Sequence, residues 1–214
     1  AKPIIGREER KAVKRVLKSG MLAQGPEVAA FEKEFSNFID AEHCIAINSG
    51  TSALHLALLA AEIKNGDEVI VPSFSFAATA NVVALTGATP VFADIDENTF
   101  NLDPQSVKSL ISSKTRAVMP VHLTGNPTKI DAIQKVLTGT GIEVIEDAAQ
   151  AVGAKFNGKR VGSFGIAAMF SLHPLKNLGI LGDGGVITTD SEDMYAKIIK
   201  LRNHGLIDRD HCEI

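Results

Sequence analysis

Short segments rich in strand-forming residues alternate with helical segments along the chain after residue 40. The predicted strands cover residues 44–49, 68–73, 89–95, 116–124, 142–148, 167–173 and 185–190. The predicted helices cover residues 51–63, 77–86, 103–112, 129–138 and 191–202. Such alternation is typical of a mostly parallel sheet with helices on both faces. We therefore expect an α/β fold, a three-layer α/β/α domain with a mostly parallel central sheet.

Three further elements lie outside this alternation. Two helical segments come first and form an N-terminal segment, residues 1–40. Gly20 ends the first of them and Pro26 suits the opening turn of the second. Their apolar residues recur at helical spacing: Ala12, Val13, Val16 and Leu17, then Val28, Phe31, Phe35 and Phe38. The third element is a β-hairpin, predicted because Asn157 and Gly158 both accept the positive φ angles of a tight turn.

The composition excludes several classes of protein. There are 22 Lys and Arg residues against 25 Asp and Glu, a formal net charge of −3. Nucleic acids and anionic membranes require a concentrated basic surface, so we expect neither as a partner. No apolar run could cross a bilayer, and the N-terminus lacks the apolar core of a secretory signal. Cys44 and Cys212 indicate neither a disulfide framework nor a metal site, so we expect a cytoplasmic protein without metal.

The first candidate site is the segment Asn48-Ser49-Gly50-Thr51-Ser52, which lies between a predicted strand and a predicted helix. In an open α/β sheet, ligands bind beyond the carboxyl ends of the strands. Free N–H groups in a first helical turn, a glycine that permits close approach and two hydroxyls are suited to a phosphate group. An ordinary helix N-cap would use the same residues, so both interpretations stay open.

The second candidate site is the pair Glu146 and Asp147 at the end of a predicted strand. Neighbouring strand side chains point to opposite faces, so only one of the two acids can face a given ligand. A carboxylate in such a position can hold a cation or a protonated ring nitrogen. It can equally be a capping residue, and position alone does not decide between the two.

The third candidate is Lys176, which lies between leucines after a buried predicted strand and before a glycine-rich turn. A lysine in apolar surroundings loses its proton more easily, which Schiff-base chemistry requires. The alternative is a lysine whose stem packs while its amine reaches water.

Together the three candidates match pyridoxal phosphate, which requires a phosphate cradle, an acid for its pyridinium and an amine for its aldehyde. The chain closely resembles the sugar aminotransferases of the DegT/DnrJ/EryC1/StrS family, which belong to the aspartate aminotransferase superfamily, fold type I. The resemblance rests on SGTSALHLAL, GDEVIVPSFSFAATAN, GATPVFADID, IEDAAQAVGAKFNGKRVGSFG, FSLHPLKNL and GDGGVITTD, in that order. It implies that residues 41–205 form the cofactor-binding large domain. Residues 206–214 would then begin a segment leading to a smaller C-terminal domain.

The resemblance also implies roles for individual residues. Lys176 matches the lysine that joins the cofactor covalently and later shuttles a proton. Asp147 matches the acid that keeps the pyridine nitrogen protonated. The other matches surround the cofactor: Gly50 and Thr51 at its phosphate, Phe76 on its ring, Gln150 beside its phenolic oxygen and Ser171 as a second hydroxyl contact.

The activity implied by the resemblance is amino transfer from glutamate or glutamine to a keto sugar, attached to a nucleotide, in amino-sugar biosynthesis. The family also implies a homodimer with shared active sites. Relatives that act on 3-keto sugar nucleotides often have an aromatic residue where this chain has His173, so amination at C3 and at C4 both stay open.

Three alternatives compete with this activity. A sugar dehydratase of the same family uses pyridoxamine phosphate and has histidine at the lysine position, so Lys176 argues against it. A non-catalytic regulatory member of the family stays open. A nicotinamide-binding Rossmann domain is disfavoured because no GxGxxG comes after the first strand.

Overall fold

A seven-stranded sheet forms the centre of the molecule. The structure, a computed structural model, describes residues 2–206. The strands are β1 His43–Ile47, β2 Glu68–Pro72, β3 Thr89–Ala93, β4 Thr115–Val118, β5 Glu143–Asp147, β6 Lys155–Phe156, β7 Lys159–Arg160, β8 Ala167–Ser171 and β9 Gly185–Thr189. Strands β6 and β7 form a separate two-stranded hairpin, and the order of the other seven in the sheet is β1-β9-β8-β5-β4-β2-β3. Strand β9 runs antiparallel to both of its neighbours, and the remaining pairs are parallel, which confirms the mostly parallel sheet.

Helices cover both faces of this sheet. They are α1 Arg7–Ser19, α2 Pro26–Ile39, α3 Gly50–Ala60, α4 Ala78–Leu85, α5 Pro104–Leu110, α6 Ile130–Leu137 and α7 Glu192–Arg202. One face packs against α3, α4 and α7, and the other packs against α2, α5 and α6. The predicted three-layer α/β/α architecture is therefore confirmed. Helix α1 contributes no buried residue to either layer.

The alternating side chains of the strands supply both cores. In β2, Val69 and Val71 face the α3 side, while Ile70 faces the α5 and α6 side. All three have no exposed surface, as expected for a strand covered on both faces. Side-chain caps start α3, α5 and α7, and at α5 Asp103 accepts the N–H groups of Gln105 and Ser106.

The hairpin predicted at Asn157-Gly158 is confirmed as β6 and β7, and both turn residues have positive φ. The strand predicted over residues 116–124 is too long, because β4 ends at Val118. Pro120 has no N–H to donate, which interrupts the regular strand pairing. The chain then turns through a 3-10 segment, Leu123–Gly125, in which Thr124 has a φ of 55°.

No helix within residues 2–206 is both long and apolar enough to span a membrane. The sequence predicted that residues 206–214 lead to a smaller C-terminal domain. Residues 207–214, which include Cys212, lie outside the described part of the chain.

Candidate active site

A cavity of about 490 Å³ opens at the carboxyl ends of the parallel strands. Its walls come from the ends of β1, β4, β5 and β8, where the rule for open α/β sheets places a ligand. The structure brings together all seven residues that the sequence singled out, and each of them lines this cavity: Gly50, Thr51, Phe76, Asp147, Gln150, Ser171 and Lys176.

The start of α3 forms a polar wall of the cavity. Ser49 is the N-cap, and its Oγ accepts the N–H of Ser52 at 3.0 Å. Gly50 is buried against β8: a Cβ at this position would lie 2.9 Å from the Cβ of Ser171. The capping interpretation and the phosphate interpretation are therefore compatible, because Ser49 satisfies one N–H while Gly50 and Thr51 face the cavity.

Asp147 forms the floor of the cavity at the end of β5 and is 4% exposed. Burial raises the pKa of Asp147 above its ordinary value. Two hydrogen bonds oppose this shift, from Ala149 N–H to Oδ1 at 3.1 Å and from Thr79 Oγ1 to Oδ2 at 2.9 Å. A buried carboxylate held in this way favours a cationic partner in the cavity.

Glu146 points to the opposite face of β5 and is fully buried. One carboxylate oxygen accepts the N–H of Gly162 and lies 2.9 Å from His122 Nε2. The other accepts the N–H groups of Phe164 and Gly165. Only Asp147 of the two acids lines the cavity, as the alternation of strand side chains predicts.

Lys176 lies half-buried in the loop after β8 and lines the same cavity as Asp147. The loop is held from both sides. Lys176 N–H donates to His173 O at 2.8 Å, and Asn177 Nδ2 donates to Val152 O at 2.8 Å. These bonds position the lysine in the wall of the cavity.

Gln150 has a defined orientation in the cavity wall. Its Oε1 accepts the N–H of Thr124 at 2.9 Å, so its Nε2 amino group is left for the cavity. The turn that carries Thr124 is braced by Asn101, which is 3% exposed. Asn101 Oδ1 accepts the N–H of Leu123, and its Nδ2 donates to Asn126 O.

Phe76 lies at the mouth of the cavity and is 72% exposed. An aromatic residue in this sequence context would ordinarily be assigned to the core. Leu175 also lines the cavity and is 56% exposed. The mouth therefore has an apolar rim above a polar floor.

Several residues of the site were not predicted from the sequence. Thr79 is buried behind the cavity wall and bonds to Asp147, while Ser75 bonds to Thr79 and lines the cavity. Asn101 and Thr124 orient Gln150. The only local signal for Ser75 and Thr79 is the hydroxyl-rich run from Ser73 to Thr79, and ordinary helix starts have the same composition.

A curated relative matches almost all of this chain. It is the spore coat polysaccharide biosynthesis protein SpsC of Bacillus subtilis (strain 168), 48% identical over 204 residues. The match covers 95% of this chain and 52% of SpsC, so the chain spans about half the length of this relative.

Solved structures match with similarly high coverage. S. venezuelae DesV, in complex with a ketimine intermediate, has a TM-score of 0.94 and 42% identity over 97% of this chain and 56% of its own. Bacillus subtilis NtdA, with bound cofactor PMP, has a TM-score of 0.91 and 33% identity over 98% of this chain and 48% of its own. The GDP-4-keto-6-deoxymannose-3-dehydratase ColD has a TM-score of 0.92 and 34% identity over 96% of this chain and 54% of its own.

These likenesses agree with the resemblance read from the sequence and with the α/β fold. The family match covers every strand of the sheet and every residue that lines the cavity. Residues 3–213 match the pattern of one family from end to end, and the chain belongs to the DegT/DnrJ/EryC1/StrS aminotransferase family.

Proposed function

We propose that this chain is the cofactor-binding part of a sugar aminotransferase that uses pyridoxal phosphate. The single observation that carries the proposal is the presence of Lys176, Asp147 and Gly50 on the walls of one cavity. We further propose that residues 41–205 are the large domain, that residues 1–40 are an N-terminal helical segment and that residues 206–214 lead to a smaller domain.

The residues present fit pyridoxal phosphate. The cradle at Gly50 has no room for a Cβ, and the free N–H groups of the first turn of α3 suit the phosphate. Ser171 Oγ and Thr51 complete this end of the site. Asp147 would hold the protonated ring nitrogen, and the amino group of Gln150 would face the phenolic oxygen. Phe76 would cover the ring.

When bound, the cofactor supplies an electron sink for the carbon that carries the amino group. Asp147 holds the proton on the ring nitrogen, because its charge favours the protonated form in a poorly solvated site. The Lys176 amine removes a proton from the substrate carbon in one half-reaction and returns a proton in the other. The amino donor is glutamate or glutamine, and the acceptor is a keto sugar linked to a nucleotide.

The name of SpsC supports a place in polysaccharide biosynthesis. A sugar dehydratase is the second candidate, because the dehydratase ColD is among the structural neighbours. Lys176 favours amino transfer, since dehydratases of this family have histidine at that position. A non-catalytic regulatory role is disfavoured by a cavity with both the lysine and the acid in place.

The apolar rim of the cavity supports assembly. Phe76, Phe74 and Leu175 are each more than half exposed, and Phe74 packs against Phe100 with 5.8 Å between ring centroids. We propose that this surface is covered by a second copy of the chain in a symmetric homodimer with shared active sites, in the cytoplasm.

The absorption spectrum of the purified protein tests the cofactor. We expect a visible band that borohydride abolishes, followed by recovery of a peptide in which Lys176 carries the reduced cofactor. Modification of another lysine, or no visible band, would overturn the assignment. Screening keto-sugar nucleotides with glutamate in the full-length protein separates amino transfer from dehydration, because amino transfer leaves the donor's nitrogen on the sugar, whereas dehydration gives a deoxy keto sugar without it.

A further inference from the structure

Two hydroxyl groups connect Asp147 to the cavity by a path separate from the carboxylate itself. Thr79 Oγ1 lies 2.9 Å from Asp147 Oδ2, and Ser75 Oγ lies 2.9 Å from Thr79 Oγ1. Thr79 is 1% exposed and does not line the cavity, whereas Ser75 is half-buried and does. Thr79 lies in the first turn of α4, and Ser75 lies four residues earlier, in the loop before the helix.

The direction of the hydrogen bonds in this chain of hydroxyls follows from the charge on Asp147. An ionised carboxylate only accepts hydrogen bonds, so Thr79 must donate its single hydroxyl proton to Oδ2. Thr79 Oγ1 then accepts the proton of Ser75. Both hydroxyls therefore donate in the direction of Asp147, and the lone pairs of Ser75 Oγ are left for the cavity.

The position of Thr79 in its helix indicates that its hydroxyl is committed to Asp147. The hydroxyl that caps a helix start belongs to the N-cap residue, and Thr79 is the second residue of α4. Ala77 is the N-cap of α4 and makes no side-chain cap bond. Thr79 N–H donates to Phe76 O, while its hydroxyl bonds across to β5.

We propose that Thr79 is a positioning residue that keeps Asp147 ionised and oriented toward the cofactor, with Ser75 as its link to the cavity. This inference rests on the proposed function, because it assigns Asp147 to the ring nitrogen. Hydrogen bonds to charged groups are stronger than those between neutral groups, and loss of the one from Thr79 favours the protonated acid. A protonated Asp147 holds the ring nitrogen's proton less firmly.

Other titratable groups face Asp147 from neighbouring elements. Lys176, His173 and Asp183 line the same cavity from the loop after β8, and His122 lies in the segment after β4. Substitutions at Ser75 and Thr79 leave all four in place. A change in the titration of the bound cofactor can therefore be assigned to the hydroxyl chain.

The test uses the full-length protein loaded with pyridoxal phosphate and the variants Thr79→Val, Thr79→Ser and Ser75→Ala. The visible band titrates with the nitrogen that joins the cofactor to Lys176. A less protonated ring withdraws fewer electrons from this nitrogen, so the nitrogen keeps its proton to higher pH. The pH midpoint of the visible band should therefore rise. In Thr79→Val we expect a rise of roughly half a pH unit or more. The turnover number kcat should fall roughly 10- to 100-fold, with a smaller change in KM. Thr79→Ser should restore both values.

Thr115→Val is the matched control, because Thr115 is a buried threonine whose Oγ1 accepts the N–H of Ser112 at the opposite end of the sheet. It should lower the melting temperature without moving the pH midpoint. If Thr79→Val does not fold, Ser75→Ala decides, with an expected smaller rise of the midpoint. The inference would be overturned if Thr79→Val and Ser75→Ala both kept the wild-type midpoint. It would also be overturned if Thr79→Ser shifted the midpoint as much as Thr79→Val. A wild type without a visible band would instead overturn the proposed function.

Discussion

His122 Nε2 lies 2.9 Å from Glu146 Oε2, and both side chains are completely buried. Thr128 N–H donates to His122 Nδ1, so the ring proton is on Nε2 and points at the carboxylate. The pair ties the end of β4 to the loop after β7, because Glu146 also accepts N–H groups from that loop. Strand β5 thus has Glu146, with both carboxylate oxygens hydrogen-bonded, on one face and Asp147 on the other.

Glu146→Gln should destabilise the protein markedly. The carboxylate oxygens accept four hydrogen bonds, and an amide would turn an N–H group toward one or more of these donors. We expect a loss of about 2–4 kcal/mol in the free energy of unfolding, measured by urea denaturation. Glu143→Gln, at the exposed start of the same strand, is the control and should change stability little. Equal losses in the two variants would contradict the prediction.

The contribution of Glu146 to stability should also depend on pH. Burial raises the pKa of Glu146, but hydrogen bonds from His122, Gly162 and Gly165 outweigh it and hold the pKa below the ordinary 4.5. A carboxylate with a lower pKa in the folded state stabilises that state at pH values above its unfolded pKa. This stabilisation is lost as the pH falls through the folded pKa. The difference in unfolding free energy between wild type and Glu146→Gln should therefore shrink below pH 4.5. A pH-independent difference would show that the charge is not what the site stabilises.

Lys176→Ala should abolish amino transfer and leave the fold intact. The side chain is half-buried in a loop, so its removal opens no large apolar cavity. Circular dichroism and the melting temperature check the fold, and donor-dependent turnover checks the activity. Lys64→Ala, at an exposed position outside the cavity, should retain full turnover and borohydride labelling. Labelling that persists in Lys176→Ala would locate the reactive amine elsewhere.

Asp147→Asn should bind the cofactor but turn over slowly, because an amide does not stabilise a pyridinium. We expect a loss of about 2–4 kcal/mol in transition-state stabilisation, obtained from kcat/KM. Cofactor affinity, measured by fluorescence quenching, separates this effect from failure to load. Rates near those of wild type would return Asp147 to the role of a capping residue.

Gly50→Ala should disturb the cradle at the start of α3. The added Cβ would lie 2.9 Å from the Ser171 Cβ, and overpacking of this kind costs about 1–3 kcal/mol. The double variant Gly50→Ala with Ser171→Gly should lose less stability than the sum of its single variants, because the clashing atom is removed. Gly50→Ala with Ser171→Ala keeps that atom and removes only the Oγ, 3.1 Å from the added Cβ, so it should show less relief. Thermal unfolding measures all of these variants.

The fold class was predictable because the strands of the central sheet are short runs rich in β-forming residues, separated by helical segments. Val69, Ile70 and Val71 are all buried, and such a run indicates a strand covered on both faces. The end of β4 was predicted too far along, since Val121 continues the β-forming pattern beyond Pro120. The path of the chain after Pro120 depends on tertiary contacts: Val121 bridges to Asp147, and the backbone then turns at Thr124.

The candidate site was predictable where its residues lie just after or at the end of a strand. Gly50, Asp147 and Ser171 are each near a strand's carboxyl end, and this position can be read from the local pattern. Thr79 and Asn101 could not be found in this way. Their hydrogen bonds reach β5 and the turn at Leu123, and contacts between distant segments leave no local periodicity in the sequence.

The antiparallel pairing of β1 with β9 has a kinetic consequence. Ile47, just before the cradle, pairs with Gly185, so the early and late parts of the described chain must meet before that wall of the cavity exists. Closing so long a loop costs conformational entropy before any stabilising contact forms, and high contact order slows folding. During synthesis, β1 leaves the ribosome well before its partner strand. The proposed phosphate site at Gly50 should therefore form late in folding, after β2, β3 and β4 have assembled.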